Sequence, residues 1–226
     1  RDLLSASIET AKLSKKKAQK MAGRLGFVAY AILGPIGASH VNHLYAHALS
    51  HYDSDYLHPL LVDEIKWWHA YLSKNSFVTI PNGPDRKGPV IVYTDAEGSG
   101  GTGGVLLSCG ACHWFRDNAL GGTVRELHER KTQIVPYETI AVLQAAKKFK
   151  VHLLSRDVVL FIDNQTVLGC VKKGRCRVQD VHLLVSETLE AFALPRARVF
   201  PFWVPSALNI SDVPSRGMDL PFGRRV

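Results

Sequence analysis

Val158-Val159-Leu160-Phe161-Ile162-Asp163 is an uninterrupted apolar run closed by a carboxylate. Such a run is the mark of a central strand buried on both faces. An acidic group at its end carries a desolvation cost unless something compensates it. The same layout stands upstream in Pro89-Val90-Ile91-Val92-Tyr93-Thr94-Asp95-Ala96, a β-branched stretch that also reaches an aspartate near its end. If the two strands are parallel neighbours, Asp95 and Asp163 converge at one end of the sheet, and a metal site is the simplest compensation.

Outward from these strands, Gly103 to Ser108 and Cys112 to Phe115 fit two further strands with Gly110 at their turn. A polar, glycine-containing stretch follows from Arg116 to Gln133. Pro136 then opens a helix running to Phe149, a second helix spans Thr166 to about Lys173, and a third runs from Gln179 to Ala193. Arg198 to Val204 supplies a fifth strand. A short terminal turn or helix begins near Ser211, which suits an N-cap, with Pro214 suited to the first turn. The order is β-β-β-α-β-α-α-β-α, an α/β pattern. It places Glu138 in the first turn of the helix between the two aspartate strands and Asp212 in the first turn of the last helix. Singly, either acid is explained by the helix macrodipole, which favours negative charge there. Together with Asp95 and Asp163 they form one set. Phosphodiester hydrolysis assisted by two magnesium ions about 4 Å apart needs several hard oxygen ligands converging from different elements.

Residues 1–80 read instead as helices: Lys12 to Leu33, a break at Gly34-Pro35, Ile36 to Ser50, and Leu60 to Leu72 carrying Trp67 and Trp68. Residues 81–88, Pro-Asn-Gly-Pro-Asp-Arg-Lys-Gly, are dense in turn formers and read as a linker to an α/β domain over 89–226. His40, His43, His47 and His51 recur at three- and four-residue steps on one expected helix face. A face that is solvated or packed against RNA phosphate is the plainer reading than a metal site.

The chain of 226 residues is 46% apolar, long enough to bury a core. Lys plus Arg exceed Asp plus Glu by 28 to 20, a formal charge of +8. The excess gathers at Lys15-Lys16-Lys17-Lys20-Arg24, at Lys147-Lys148-Lys150 and at Lys172-Lys173-Arg175-Arg177, which points to a polyanionic partner. No stretch approaches the roughly 18 apolar residues of a membrane helix, so no membrane partner is expected. The cysteines fall in two pairs, Cys109/Cys112 and Cys170/Cys176. The first pair reads as lying at a hairpin turn and Cys170 on a helix after a later strand, so free thiols rather than a shared zinc site are expected.

Several stretches match a known family. Tyr93-Thr94-Asp95-Ala96 leads to Gly103-Gly104-Val105-Leu106; Pro136-Tyr137-Glu138 opens a helix; Phe161-Ile162-Asp163-Asn164 precedes another; and Trp203-Val204-Pro205-Ser206-Ala207-Leu208-Asn209-Ile210-Ser211-Asp212-Val213-Pro214-Ser215-Arg216-Gly217 closes the series. Residues 89 to 217 thus resemble the ribonuclease H domain attached to retroelement reverse transcriptases, particularly those of tyrosine-recombinase retrotransposons. The segment before it, with Gly23-Arg24-Leu25-Gly26-Phe27 and Ile65-Lys66-Trp67-Trp68, is similar to the thumb and connection region of the same polyproteins. The resemblance implies a ribonuclease H-like five-stranded mixed sheet of order 3-2-1-4-5 flanked by helices, and magnesium-dependent cleavage of the RNA strand of RNA:DNA hybrids. It carries metal ligation onto Asp95, Glu138, Asp163 and Asp212. It also places Asn164 and Gln165 toward the minor groove, where 2′-hydroxyls mark RNA, and Ser99 and Gly100 near the phosphates. Two features depart from the family. No Tyr-x-Asp-Asp polymerase motif is present, Tyr52-Asp53-Ser54-Asp55 having the wrong spacing. The loop Val204 to Ser211 lacks the histidine that many cellular ribonucleases H carry there.

Two other readings stand beside the nuclease. One is a non-catalytic, RNA-binding structural subunit of a large ribonucleoprotein such as an organellar ribosome, which the basic clusters and the missing polymerase motif fit. The other is an integrase or transposase of the same superfamily, for which Glu187 or Glu190 would have to serve. Partners would be an RNA:DNA hybrid or structured RNA, with a polymerase subunit or ribonucleoprotein proteins alongside. The compartment would be cytoplasm or nucleus for a retroelement enzyme and mitochondrion for a ribonucleoprotein subunit.

Overall fold

The computed structural model describes residues 2–50, 55–74, 87–119 and 127–226. The chain divides into two compact units, Arg1–Pro81 and Asn82–Val226.

The first unit is helical: α1 (Asp2–Thr10), α2 (Lys15–Val28) running into a π-helical turn at Ala29–Leu33, α3 (Pro35–Ser39), α4 (Asn42–Ala48) and α5 (Pro59–Ser73). Gly34 adopts φ 58°, which a side chain disfavours, and Pro35 takes the first helical position after it. The expected break is therefore where the sequence placed it. Three details differ: α1 is additional, the first expected helix is shorter, and the expected helix over Ile36 to Ser50 is two. Leu13, Met21, Leu25, Leu44, Leu61, Ile65 and Trp68 make the core of this unit.

The histidine stripe is consumed in that packing. His40 caps α3 rather than continuing a helix face, and stacks on Trp67 with centroids 3.9 Å apart. His43 Nδ1 lies 2.7 Å from Glu64 Oε1, and His47 Nε2 lies 2.7 Å from the Leu13 carbonyl. Buried Glu64 also accepts the His43 and Leu44 amides, so it satisfies donors that the start of α4 leaves open. His51 lies outside the described residues, as do residues 81–86 of the expected linker.

The second unit holds β1 (Lys87–Ala96), β2 (Gly101–Ser108), β3 (Ala111–Asn118), α6 (Ile134–Lys148), β4 (Arg156–Ile162), α7 (Gln165–Lys173), α8 (Gln179–Ala193), β5 (Arg198–Trp203), α9 (Asp212–Ser215) and β6 (Arg224–Arg225). The sheet order is β5-β4-β1-β2-β3-β6, with β1–β2 and β2–β3 antiparallel and β1–β4, β4–β5 and β3–β6 parallel. The first five strands stand in the expected order. The sheet is nevertheless six-stranded, a correction whose cause is a two-residue edge pairing of Arg224-Arg225 with His113-Trp114.

Side chains alternate between the two faces of these strands. On one face Val90, Val92, Leu106, Val158, Leu160 and Ile162 are fully buried, and α6 packs on β1 and β2 and against α7 and α8. The opposite face carries Tyr93, Phe161 and Phe202 in register across β1, β4 and β5, with Tyr93 and Phe161 stacked at 4.9 Å. Phe161 and Val159 are only half-buried. The expectation of a strand sealed on both faces thus holds for one face of β4. Over β1, β2 and β3 this second side is covered by α9. Gly101 and Gly103 allow that approach: a Cβ on Gly101 would lie 2.2 Å from the Ser215 carbonyl, and one on Gly103 2.5 Å from the Ser215 nitrogen.

Candidate metal centre

The carboxylates meet where β1 and β4 end. The strands are parallel and in register through Thr94↔Ile162, so the next residues, Asp95 and Asp163, stand side by side. Glu138 reaches them from α6. Ligand oxygens of Asp95, Glu138 and Asp163 all lie within 4.8 Å of one another. Asp95 is 6% and Glu138 4% exposed, so the cluster sits in surroundings that penalise charge.

Glu138 does not lie in the first helical turn as expected. The helix opens at Ile134, two residues before Pro136, and has no acid in its first turn. Proline is tolerated anywhere in that turn because the amides there lack intrahelical partners. The macrodipole explanation for Glu138 therefore falls away. Burial first, then the charges of Asp95 and Asp163, push its carboxyl up to about 9, opposed only by the Ala96 amide. Its Oε2 is buried without a hydrogen-bond partner. Burial likewise raises Asp95 to about 6, with Asp163 and Asp212 adding to the rise and the Ser215 hydroxyl and Arg216 opposing it.

The segment after β5 straps this end of the sheet. Ser206 Oγ donates to Asp163 Oδ2 at 2.7 Å, and Trp203 Nε1 donates to the Asp163 carbonyl at 3.0 Å. Asn209 Nδ2 donates to the Thr94 carbonyl at 2.9 Å, and its Oδ1 accepts the Ser211 hydroxyl at 2.6 Å. Ser215 Oγ donates to Asp95 Oδ2. These hydroxyls fix one oxygen of each aspartate, while Asp163 Oδ1 stays buried and unpartnered. Ser206, Asn209 and Ser215 were not singled out from sequence. Their only signal was membership of the Trp203–Gly217 stretch, because where a loop hydroxyl points depends on the path of the loop.

Asp212 stands apart from the triplet. It lies in the first turn of α9, and its Oδ1 is 2.9 Å from both Nε and a terminal nitrogen of Arg216 one turn on. It is near enough for its charge to raise Asp95.

Of the residues expected at nucleic acid, Ser99 is exposed in the β1–β2 turn, and Gly100 beside it is buried with φ 100°. Ser99 lines an open cleft of about 460 Å³ with Gly101, Arg116, Arg216 and Arg225. Asn164 is the N-cap of α7, its Oδ1 accepting the Thr166 and Val167 amides at 3.0 and 3.2 Å, so a structural duty accounts for it. Gln165, Lys172, Lys173, Arg175 and Arg177 are exposed. Lys147 and Lys148 differ, because each has an internal partner: Glu187 at 2.7 Å and Asp117 at 2.9 Å.

No known family profile and no curated protein matches the chain. Among solved structures, RNase H1 from the halophilic archaeon Halobacterium salinarum NRC-1 is similar at 17% identity, over 54% of this chain and 89% of that one, with a TM-score of 0.40. The N-terminal RNase H domain of a Mycobacterium tuberculosis protein, solved as a fusion with maltose binding protein, is similar at 18% identity, over 57% of this chain and 98% of that one, with a TM-score of 0.40.

Proposed function

We propose that residues 89–226 form a magnesium-dependent, ribonuclease H-like nuclease that cleaves the RNA strand of RNA:DNA hybrids, within a chain descended from a retroelement reverse transcriptase. One observation carries the reading: three carboxylates from β1, α6 and the end of β4 meet with ligand oxygens within 4.8 Å, and oxygens of Glu138 and Asp163 are buried with no partner. Such a cluster is unfavourable on its own and becomes favourable around a hard divalent cation, which takes carboxylate oxygens. Asp95, Glu138 and Asp163 would hold it. When bound, magnesium supplies a Lewis acid that polarises a phosphoryl oxygen and lowers the pKa of coordinated water.

The chain's own groups do the positioning. Ser215 and Ser206 orient the Asp95 and Asp163 carboxylates, leaving the other oxygens directed to the common point. Glu138 holds a proton at neutral pH without metal and yields it when a cation arrives. Asp212 would complete a second metal position on release from Arg216. Gln165, exposed at the start of α7 two residues after Asp163, would meet a 2′-hydroxyl, and the exposed cations Lys172, Lys173, Arg175 and Arg177 would meet phosphates. Lys147 and Lys148 belong to the same set, each beginning from a surface ion pair, to Glu187 and Asp117, that a phosphate would replace. A purely structural RNA-binding subunit gains nothing from gathering three acids, two of them buried, at one point, so the nuclease is the reading we adopt.

The test is cleavage of a labelled RNA:DNA hybrid by the full chain with magnesium, beside an Asp163→Asn variant. Cleavage of the RNA strand by the parent and none by the variant is expected. Failure of the well-folded parent to cut, with RNA retained in a stable complex, would replace the proposal with the structural-subunit reading.

A further inference from the structure

Cys170 and Cys176 have no part in the carboxylate site, yet the fold brings their sulfurs into hydrogen-bonding contact. The cause is the end of α7. Gly174 takes the left-handed conformation at φ 67°, its amide donates to the Val171 carbonyl at 3.4 Å, and the Arg175 amide donates to the Cys170 carbonyl at 3.2 Å. This paired pattern of backbone bonds closes a helix and turns the chain sharply back. Cys176 is thereby returned to the last turn of the helix it has just left. Its amide donates to His182 Nδ1 at 3.4 Å, which ties the returning strand to α8.

The two thiols differ in the way that an attacking and a resolving sulfur differ. Cys170 is 8% exposed and Cys176 is half-buried, open to a small reagent. Cys176 sits ahead of the amino end of α8, and the Cys170 thiol and the Val178 and Arg177 amides all donate to its sulfur and hold its pKa down. Cys170, donating its proton to that sulfur and buried, is held up. Among the described residues no third histidine, cysteine or carboxylate joins the pair closely enough to share a metal ion, so metal binding is not what the arrangement offers. Cys109 and Cys112 are not an equivalent pair. Cys109 lies in the β2–β3 turn with its sulfur toward Gly88, and Cys112 lies on β3 with its sulfur against Gly223.

We propose that Cys176 and Cys170 form a peroxide-reactive dithiol that closes to a disulfide across the turn bearing Lys172, Lys173 and Arg175. The Cys176 thiolate attacks one oxygen of hydrogen peroxide; the O–O bond breaks, an S–O bond forms, and the departing hydroxide takes from solvent the proton that Cys176 released on ionising and leaves as water. Cys176 is then an uncharged sulfenic acid and no longer holds the Cys170 proton. Cys170 ionises and attacks the Cys176 sulfur, the S–S bond forms, and the S–O bond breaks with release of hydroxide, which the Cys170 proton converts to water. Two thiols are oxidised and one peroxide is reduced to two waters. The step depends on no property of the carboxylate site.

The experiment treats the full, reduced chain with hydrogen peroxide, blocks remaining thiols with N-ethylmaleimide, and maps peptides by mass spectrometry. The parent is expected to lose two of its four titratable thiols and two hydrogens in mass, with one cross-linked pair joining the peptides of Cys170 and Cys176, reversed by dithiothreitol. Cys170→Ser, and Cys170→Ala as a second variant in case the first misfolds, are expected to accumulate a sulfenic acid on Cys176 that dimedone traps. A parent that forms a bridge between other cysteines, over-oxidises at Cys176 without a bridge, or keeps all its thiols overturns the proposal.

Discussion

Replacing Glu138 by glutamine should make the metal-free protein more stable, by an amount that grows with pH. The reason lies in where the carboxyl titrates. Unfolded, it ionises near its ordinary 4.5; folded, burial and the neighbouring aspartates hold it to about 9. A folded-state value above the unfolded one means that the native chain binds the extra proton. The stability is then full below about 4.5 and is lost progressively as the pH rises toward about 9. At pH 7 about 2.5 pH units separate the solution from the unfolded value, and each is worth about 1.4 kcal/mol, so the parent gives up on the order of 3 kcal/mol. Glutamine resembles the protonated acid in shape and has nothing to ionise in the unfolded chain. In EDTA, thermal unfolding followed by circular dichroism should show variant and parent alike at pH 4.5 and the variant melting about 6–12 °C higher at pH 7. Magnesium should first narrow the gap and then reverse the order. It stabilises the parent by about 2.7 kcal/mol at a hundred times its dissociation constant, short of the deficit, and by about 4.1 kcal/mol at a thousand times, and it leaves the variant nearly unmoved. Parallel pH–stability curves for the two proteins, or equal stabilisation of both by magnesium, would refute the reasoning.

Three further outcomes follow from the strap and from α9. Ser215→Ala and Ser206→Ala each remove the hydroxyl that orients an aspartate, and calorimetric titration should show magnesium affinity lowered by about 10–100-fold with the fold retained; unchanged affinity would make these hydroxyls incidental. Gly103→Ala puts a methyl 2.5 Å from the Ser215 nitrogen and 2.8 Å from the Ser211 carbonyl, backbone atoms that do not yield, so a loss of about 1–3 kcal/mol in chemical denaturation is expected. Arg216→Ala frees Asp212 from the guanidinium at 2.9 Å, and half-maximal cleavage should then need less magnesium; a higher requirement would mean that Arg216 holds Asp212 in its working position.

The sheet was legible in sequence because its signals are local. Apolar runs ending in Asp95 and Asp163 mark strands, and Gly110 marks the turn between the two that follow. What escaped were features set by distant partners. Lys147 and Lys148 read as a phosphate-binding cluster, and their ion pairs to Glu187 and Asp117, far along the chain, leave no local signal. The histidine stripe read as one face, but a break at His40-Val41 splits its helix, and Trp67, Glu64 and Leu13 each claim one ring. The strand at Arg224-Arg225 has no apolar signature, because an edge pairing of two residues rests on backbone hydrogen bonds and on the Arg225 guanidinium over the Trp114 ring. Glu138 is right in type but two residues deeper in its helix than expected, because Pro136 is the third helical residue and not the first.

That small displacement changes what the acids mean. An acid in the first turn of a helix is stabilised by unpaired amides and needs no other account. Asp212 retains that account, together with an ion pair to Arg216. Glu138 has lost it: buried at 4% exposure, opposite two aspartates, with one oxygen unpartnered, its carboxyl destabilises the fold at neutral pH. Local structure supplies no compensation within hydrogen-bonding reach beyond one backbone amide. The weight of the functional reading therefore shifts from the number of acids to the single one that the fold has no structural reason to keep, and the stability of Glu138→Gln with and without magnesium measures that weight directly.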